Sequence, residues 1–387
     1  MSLKPMAIYL TAYTKETDQM KKYLLTGATG VLGNAVFQRL MAHKEQIILL
    51  IRARSQAHLV QRTKSLLAWH RLPETALSKI LPIKSDLCQP KFGLTPNTYD
   101  LVLNQTTHII HCAGNVTMNL PHETAKNQTM AITKNLVALM EQNKGIQKMD
   151  YASTVGVAGY TPQGIEEDWM ENVPRQYRNS YEAAKALAEN FLREKTNQGL
   201  NITVHRPSMV VGHSLTGRTN RFQVFYHLCE FLSGASTLGL IPNLKGMTLD
   251  IVPSDYVANL MVWASCQDRD LPRVLHACSG PGGNIDLNDL AEQVYAIYLK
   301  NGRSLVRPKQ IPLPIYFFFV SVLKYCVPKP QRRSLNTLPL FLAYLKMPQY
   351  FINTNTRKLA GAAGINLPET STYLMPVLEY YLNKNPG

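Results

Sequence analysis

Glycines at 27, 30 and 33, in the stretch TGATGVLG (Thr26–Gly33), follow directly on the apolar run Tyr23-Leu24-Leu25. Three glycines spaced three apart, where an apolar strand hands over to a helix, constrain the fold more than any other feature of this chain. Glycine adopts the positive φ of a tight turn and lacks the Cβ that would hold a bulky anion off the backbone. The helix beginning near Val31 then turns its unbonded N–H groups and the positive end of its dipole toward that anion. Plain tight turns also use glycine, but a strand before and a helix after single out a pyrophosphate cradle. Thr26, Gly27, Thr29, Gly30, Val31, Leu32 and Gly33 are therefore expected to hold a dinucleotide.

The rest of the chain agrees with that start. Short apolar runs at 22–27, 46–53, 79–87, 107–114, 148–154, 201–212 and 273–280 read as strands. Helical periodicity appears at 31–44, 55–71, 124–143, 179–196 and 287–299. Strands apolar throughout and alternating with helices imply a parallel sheet covered on both faces. The expected fold is α/β: a Rossmann-type doubly wound parallel sheet with a smaller, mostly helical C-terminal substrate lobe. The division reads as an N-terminal extension over 1–19, an NADP-binding domain over 20–211 and a substrate lobe over 212–387. A strand near 273–279 returns from that lobe to the main sheet.

The end of the second strand bears on the choice of cofactor. An acidic residue there would bind the 2′-hydroxyl of NAD; this chain has Arg52 and Arg54, whose planar guanidinium groups suit a 2′-phosphate. NADPH is expected on that ground. Asp86, with Leu87, follows the third strand at the adenine edge. Ala113 and Gly114 follow the fourth and leave room for the nicotinamide ribose.

Tyr181 and Lys185 lie four apart on one helix face. A phenol near pKa ~10 exchanges protons poorly at neutral pH. An ammonium one turn away, together with a positive nicotinamide, is expected to draw it down. Lys185 would also hold the ribose hydroxyls. Ser153 and Thr154 tip the fifth strand, where their hydroxyls can bind a substrate oxygen.

Composition removes several alternatives. Apolar residues make up 45% of the 387 and charged ones 17%, so a large core can form. The net charge of +15 favours anionic partners. The basic residues are scattered and no zinc-finger spacing occurs, so neither nucleic acid nor metal is expected. Cysteines at 88, 112, 229, 266, 278 and 326 form no CxxC pair and read as reduced thiols of a cytoplasmic protein. No run reaches the ~20 apolar residues that span a bilayer. The segment 311–333, apolar and ending in Lys329, Arg332 and Arg333, reads first as a buried helix and second as a peripheral membrane contact.

Taken together, TGATGVLG, SDL, HCAG, YASTVGVAG, SYEAAK and HRPSMVVG resemble the extended short-chain dehydrogenase/reductases over residues 22–212. The run LLIRARSQ, the segment ILPIKSDLCQPKFGLTPNTYD, the stretch LDIVPSDYVAN and the tail FINTNTRKLAGAAGINLPETSTYL look more narrowly like thioester reductases and fatty acyl-CoA reductases. That resemblance implies a Thr154–Tyr181–Lys185 catalytic set, with Pro207 and Ser208 facing the nicotinamide. It also implies reduction of an acyl thioester, carried by coenzyme A or an acyl carrier protein, to an aldehyde and on to an alcohol. An acyl tail would need an apolar channel, for which 222–241 and 311–350 offer the residues, although the same residues suit a core. Some positions depart from the pattern: Thr129 stands where an asparagine is usual and Ile132 where a glycine is, and His111-Cys112 replaces the usual asparagine before Ala-Gly. Another extended short-chain reductase or epimerase, acting on a ketone, steroid or nucleotide sugar, and a non-enzymatic NADPH sensor are the rival readings.

Overall fold

In the computed structural model, the described residues are 20–385 except 44, 118–119, 162–163, 171–174, 236, 238, 268–270 and 327–349, together with the backbone but not the side chains of 317 and 323–326. The extension over 1–19 and the end of the 311–333 segment lie outside them.

Six strands run in parallel: β1 (Lys22–Thr26), β2 (Gln46–Ile51), β3 (Ile80–Lys84), β4 (His108–His111), β5 (Lys148–Ala152) and β6 (Ile202–Pro207). A seventh, Val274–Ala277, pairs in parallel with β6 and completes the order 274–277, β6, β5, β4, β1, β2, β3. The order reverses between β1 and β4, whose register sets Thr26 opposite His111. Loops leaving adjacent strands part there in opposite directions and open a crevice at the carboxyl ends. The glycine loop follows β1 and therefore lies at that crevice.

Both sheet faces are covered, which explains the unbroken apolar strands. Leu25, Ile47, Leu49 and Ile51 pack with Val36, Phe37 and Leu40 of α1 (Val31–Ala42) and with the helix Ser254–Ser265. On the other face Leu24, Ile48, Ile109 and Met149 meet α4 (His122–Gln142) and α5 (Ser180–Asn197). Each fully buried aliphatic or aromatic side chain contributes ~1.5–3 kcal/mol. Between these lie α2 (Gln56–Trp69), capped by Ser55, and α3 (Pro96–Gln105), capped by Thr95. Asn179 caps α5 by accepting from the Glu182 N–H, which fixes where the Tyr181–Lys185 turn begins.

A separate core fills the C-terminal part. Phe225, Tyr226, Leu228, Phe231 and Leu232 of the helix Val224–Leu232 pack against the helices Leu287–Lys300 and Thr370–Lys384. This decides between the two uses of 222–241: these side chains interlock as core, and among the described residues of the stretch only Gln223 and Val224 line the cleft. The helix Leu313–Cys326 buries Tyr316 and leaves Ile315, Phe318 and Val322 exposed. No described helix is long and apolar enough to cross a membrane.

Candidate active site

The glycine loop closes on itself. The Gly30 N–H donates to the Gly27 carbonyl at 2.8 Å, and Gly27 sits at φ +78°. A Cβ on Gly27 would come 2.6 Å from the Ala113 nitrogen, and one on Gly33 would come 2.2 Å from the Gly27 oxygen. No side chain caps the first turn of α1, so its N–H groups face outward from bare main chain. A dinucleotide pyrophosphate fits a surface of this kind.

Below the loop, the Thr26 Oγ1 hydrogen-bonds with His111 Nδ1 at 2.7 Å. Burial, and then Lys185, hold His111 well below the usual imidazole range, so it is neutral. Above the loop, Arg62 of α2 donates to Thr29 Oγ1 at 2.6 Å and to the Arg52 carbonyl. Burial and the like charges of Arg221 and Arg52 pull the Arg62 guanidinium down from its ordinary value. Asn220 Nδ2 donates to the Thr29 carbonyl at 3.1 Å. Cations thus crowd the side of the cradle where Arg52 was expected; Arg62, Asn220 and Arg221 went unread in the sequence. Arg54 is exposed just before α2, and its N–H meets His58 Nδ1 at 3.2 Å. Asp86 turns back on its own loop, Oδ1 accepting from the Cys88 N–H at 3.1 Å, while the Leu87 carbonyl accepts from Asn135 at 2.9 Å. Neither Asp86 nor Leu87 lines the cleft described next.

That cleft, of about 310 Å³, gathers most of the remaining expected residues. Gly30, Val31, Leu32, Ala113, Gly114, Ser153, Thr154, Tyr181, Lys185, Pro207 and Ser208 all line it. Tyr181 hydrogen-bonds with Thr154, whose Oγ1 also accepts from the Gly156 N–H at 3.1 Å. Lys185 is buried and donates to the Ala152 carbonyl at 2.7 Å. A Cβ on Gly114 would lie 3.8 Å from the Lys185 Nζ, so the ammonium borders the place expected for the ribose. The Ser153 Oγ is buried with no hydrogen-bond partner among the described residues, as suits a hydroxyl waiting for a substrate oxygen.

Lys185 acts on the Tyr181 phenol in the expected direction, but burial outweighs it. Burial raises the Tyr181 phenol more than Lys185 and the Thr154 hydrogen bond lower it, so the net shift is upward. The sequence reading counted the ammonium and a bound nicotinamide but not the desolvation of a half-buried ring. A raised phenol stays protonated at neutral pH, which is the form a reductive step consumes. For Lys185, burial acts downward, but Tyr151, Tyr181 and Glu189 more than offset it and keep the ammonium charged.

The far wall comes from beyond residue 208. Met209, Arg221, Gln223, Val224, Thr248, Asp250 and Phe351 all reach the cleft; Met209, Asp250 and Phe351 fall within stretches quoted for the resemblance, but the sequence reading gave none of the seven a role. Asp250 is held in place by N–H donation from Ser279 at 2.8 Å and Gly280 at 3.0 Å. Phe351 is anchored by its strand bridge to Ile165. Nearby, Glu167 accepts from the N–H groups of Asn355 at 2.6 Å and Thr356 at 2.8 Å. Deeper still, Arg206 binds Glu189 at 2.6 Å and meets His276 Nε2 at 3.2 Å, an ion pair with no exposed guanidinium.

A family model of NAD-binding domains described as Male sterility protein matches residues 25–261. The chain belongs to this family. Its members are NAD(P)-dependent oxidoreductases, and the likeness to the thioester reductase and fatty acyl-CoA reductase branch of the extended short-chain dehydrogenase/reductases holds. The L-2-aminoadipate reductase large subunit of Penicillium chrysogenum is 28% identical over 255 residues, which is 62% of this chain and 18% of that protein. A fatty acyl-CoA reductase-like protein of Drosophila melanogaster is 26% identical over 310 residues, 69% of this chain and 56% of that protein. The chain spans less than two thirds of the length of either. Among solved structures, the terminal R domain from the myxalamid PKS-NRPS biosynthetic pathway shares the fold, with a TM-score of 0.78 over 95% of this chain and 92% of that one at 23% identity.

Proposed function

We propose that this chain reduces an acyl thioester to an aldehyde with NADPH. The observation that carries the reading is the cleft itself: a bare glycine cradle on one wall, and on the other a phenol hydrogen-bonded to Thr154 one turn from a buried ammonium. Residues 20–211 would hold the cofactor and 212–387 the acyl group. The loop Gly27–Gly33 takes the pyrophosphate, Arg52 and Arg62 the 2′-phosphate, Lys185 the ribose, and Ala113, Gly114, Pro207 and Ser208 border the nicotinamide. Bound there, the cofactor supplies hydride to a carbonyl carbon.

The chain's own residues do the rest. Thr154 and Ser153 receive the thioester oxygen, and Tyr181 gives it a proton as charge develops there. The hemithioacetal so formed loses its thiol, and the C–S bond breaks to leave the aldehyde. Lys185 keeps positive charge beside the Tyr181 oxygen while that oxygen is without its proton. The thiol carrier is coenzyme A or an acyl carrier protein, both anionic, which the charge of +15 favours. The described cysteines are all free thiols, in keeping with a cytoplasmic setting.

The test is product analysis with NADPH and acyl-CoAs of graded length. The reading expects one free thiol per aldehyde formed. Turnover of ketones or nucleotide sugars with none of thioesters would replace it with the rival reductase. Cofactor binding with no turnover of any of these would favour a sensor.

A further inference from the structure

Behind Lys185, on the side away from the cleft, lies a second phenol that the reading above does not use. Tyr151 of β5 is fully buried, its ring centroid 4.6 Å from the Lys185 Nζ, and its hydroxyl accepts a hydrogen bond from that ammonium. The same hydroxyl meets Thr133 Oγ1 at 3.0 Å, and Thr133 Oγ1 donates to the Thr129 carbonyl at 2.8 Å. Each group passes its hydrogen to the next: Lys185 to Tyr151, Tyr151 to Thr133, Thr133 to the main chain of Thr129. On the flank, the His111 ring lies 4.7 Å from the Tyr151 ring and fixes its plane.

The Lys185 ammonium is thereby held on its inner side by the Ala152 carbonyl at 2.7 Å and by Tyr151, with Gly114 and Tyr181 of the cleft on its other side. A chain that ends on a carbonyl cannot hand a proton onward; it can only hold a charge in place. Thr129, where the sequence lacks the usual asparagine, supplies that last carbonyl.

We propose that Tyr151 is a positioning residue that holds the Lys185 ammonium from behind, aims it at the cofactor ribose and keeps it charged. The groups facing Lys185 are Tyr151 on β5, Tyr181 and Glu189 on α5, His111 at the end of β4 and Cys112 just after it. Burial keeps His111 neutral and pushes the Cys112 thiol up to about 12, so neither supplies a compensating negative charge. Tyr151 is the first of the groups that offset the burial of this ammonium. The proposal rests on Lys185 serving cofactor binding, as proposed above.

Tyr151→Phe keeps the ring and removes only the hydroxyl. NADPH binding, read by its fluorescence, should weaken about tenfold at pH 7, the size of one hydrogen bond to a charged group. Between pH 7 and 9.5 it should weaken further, because an unsupported buried ammonium loses its proton at lower pH, whereas the parent protein should bind nearly uniformly over that range. The thioester KM should stay within twofold. Parent-like NADPH affinity at both pH values in a folded variant overturns the proposal, whatever substrate the protein reduces. If Tyr151→Phe does not fold, Thr133→Val decides by the same two measurements, since it removes the acceptor that orients the Tyr151 hydroxyl. Failure of the thioester assay with the binding result intact would reject the substrate and leave Tyr151 where it is placed.

Discussion

Arg62→Gln gives the sharpest view of cofactor choice. Arg62 reaches Thr29 of the glycine loop at 2.6 Å, and the charges that act on it, Arg52 and Arg221, are both positive. Three guanidiniums converge where mutual repulsion is unfavourable unless an anion is present to balance it. Glutamine keeps much of the reach and a donor for Thr29 but removes the charge. One charge-assisted contact to a phosphate is worth ~1.5–3 kcal/mol, so NADPH affinity should fall by a factor of about 10 to 150. NADH lacks the 2′-phosphate and should weaken less than about threefold on the same reasoning. Both dissociation constants come from fluorescence titration at low salt and again near 0.15 M, where screening over ~8 Å should narrow the gap. An equal loss for both cofactors would show that these arginines do not read the 2′-phosphate.

Gly33→Ala places a Cβ 2.2 Å from the Gly27 oxygen, a clash with main chain that no rotamer relieves. It should lower stability by ~1–3 kcal/mol and abolish NADPH binding; an unchanged melting temperature and affinity would refute the close packing of the cradle. Acid should also destabilise the fold. Burial, then Arg206, holds His276 down at about 3; burial, with nearby cations, holds His70 and His108 at about 4. All three are neutral when folded and take a proton near pH ~6.5 when unfolded. Their contribution is complete above that pH and is lost as pH falls through it toward 4, so the melting temperature should drop steadily from pH 7 to 4.5. His276→Gln should flatten the drop, and an identical pH slope in that variant would reject the assignment.

The sheet and the gathering of Thr154, Tyr181 and Lys185 in one cleft were legible because their determinants are local. Apolar runs such as QIILLI can only be strands buried on both faces, and the glycine spacing and the Tyr181–Lys185 interval depend on nothing distant. What stayed hidden acts across the sequence. Arg62 reads as one more basic residue on an exposed helix until α2 folds over Thr29. Asn220 and Arg221 sit in a stretch with no periodicity, and their value depends on Asn220 reaching back to the Thr29 carbonyl. Glu189, Arg206 and His276 meet only because β6 pairs with the returning strand 274–277. The desolvation of Tyr181 was missed for the same reason, since it depends on what packs around the ring. The aromatic stretch at 222–241 was open to two uses, and the helices that pack against it decided for core.

The most direct measurement is a single turnover with Tyr181→Phe, monitored by NADPH oxidation and thiol release together. If the phenol supplies the proton at the thioester oxygen, the variant should bind NADPH as the parent does while both signals slow by about 100-fold or more. Parent-like rates of oxidation and thiol release in that variant would contradict the account.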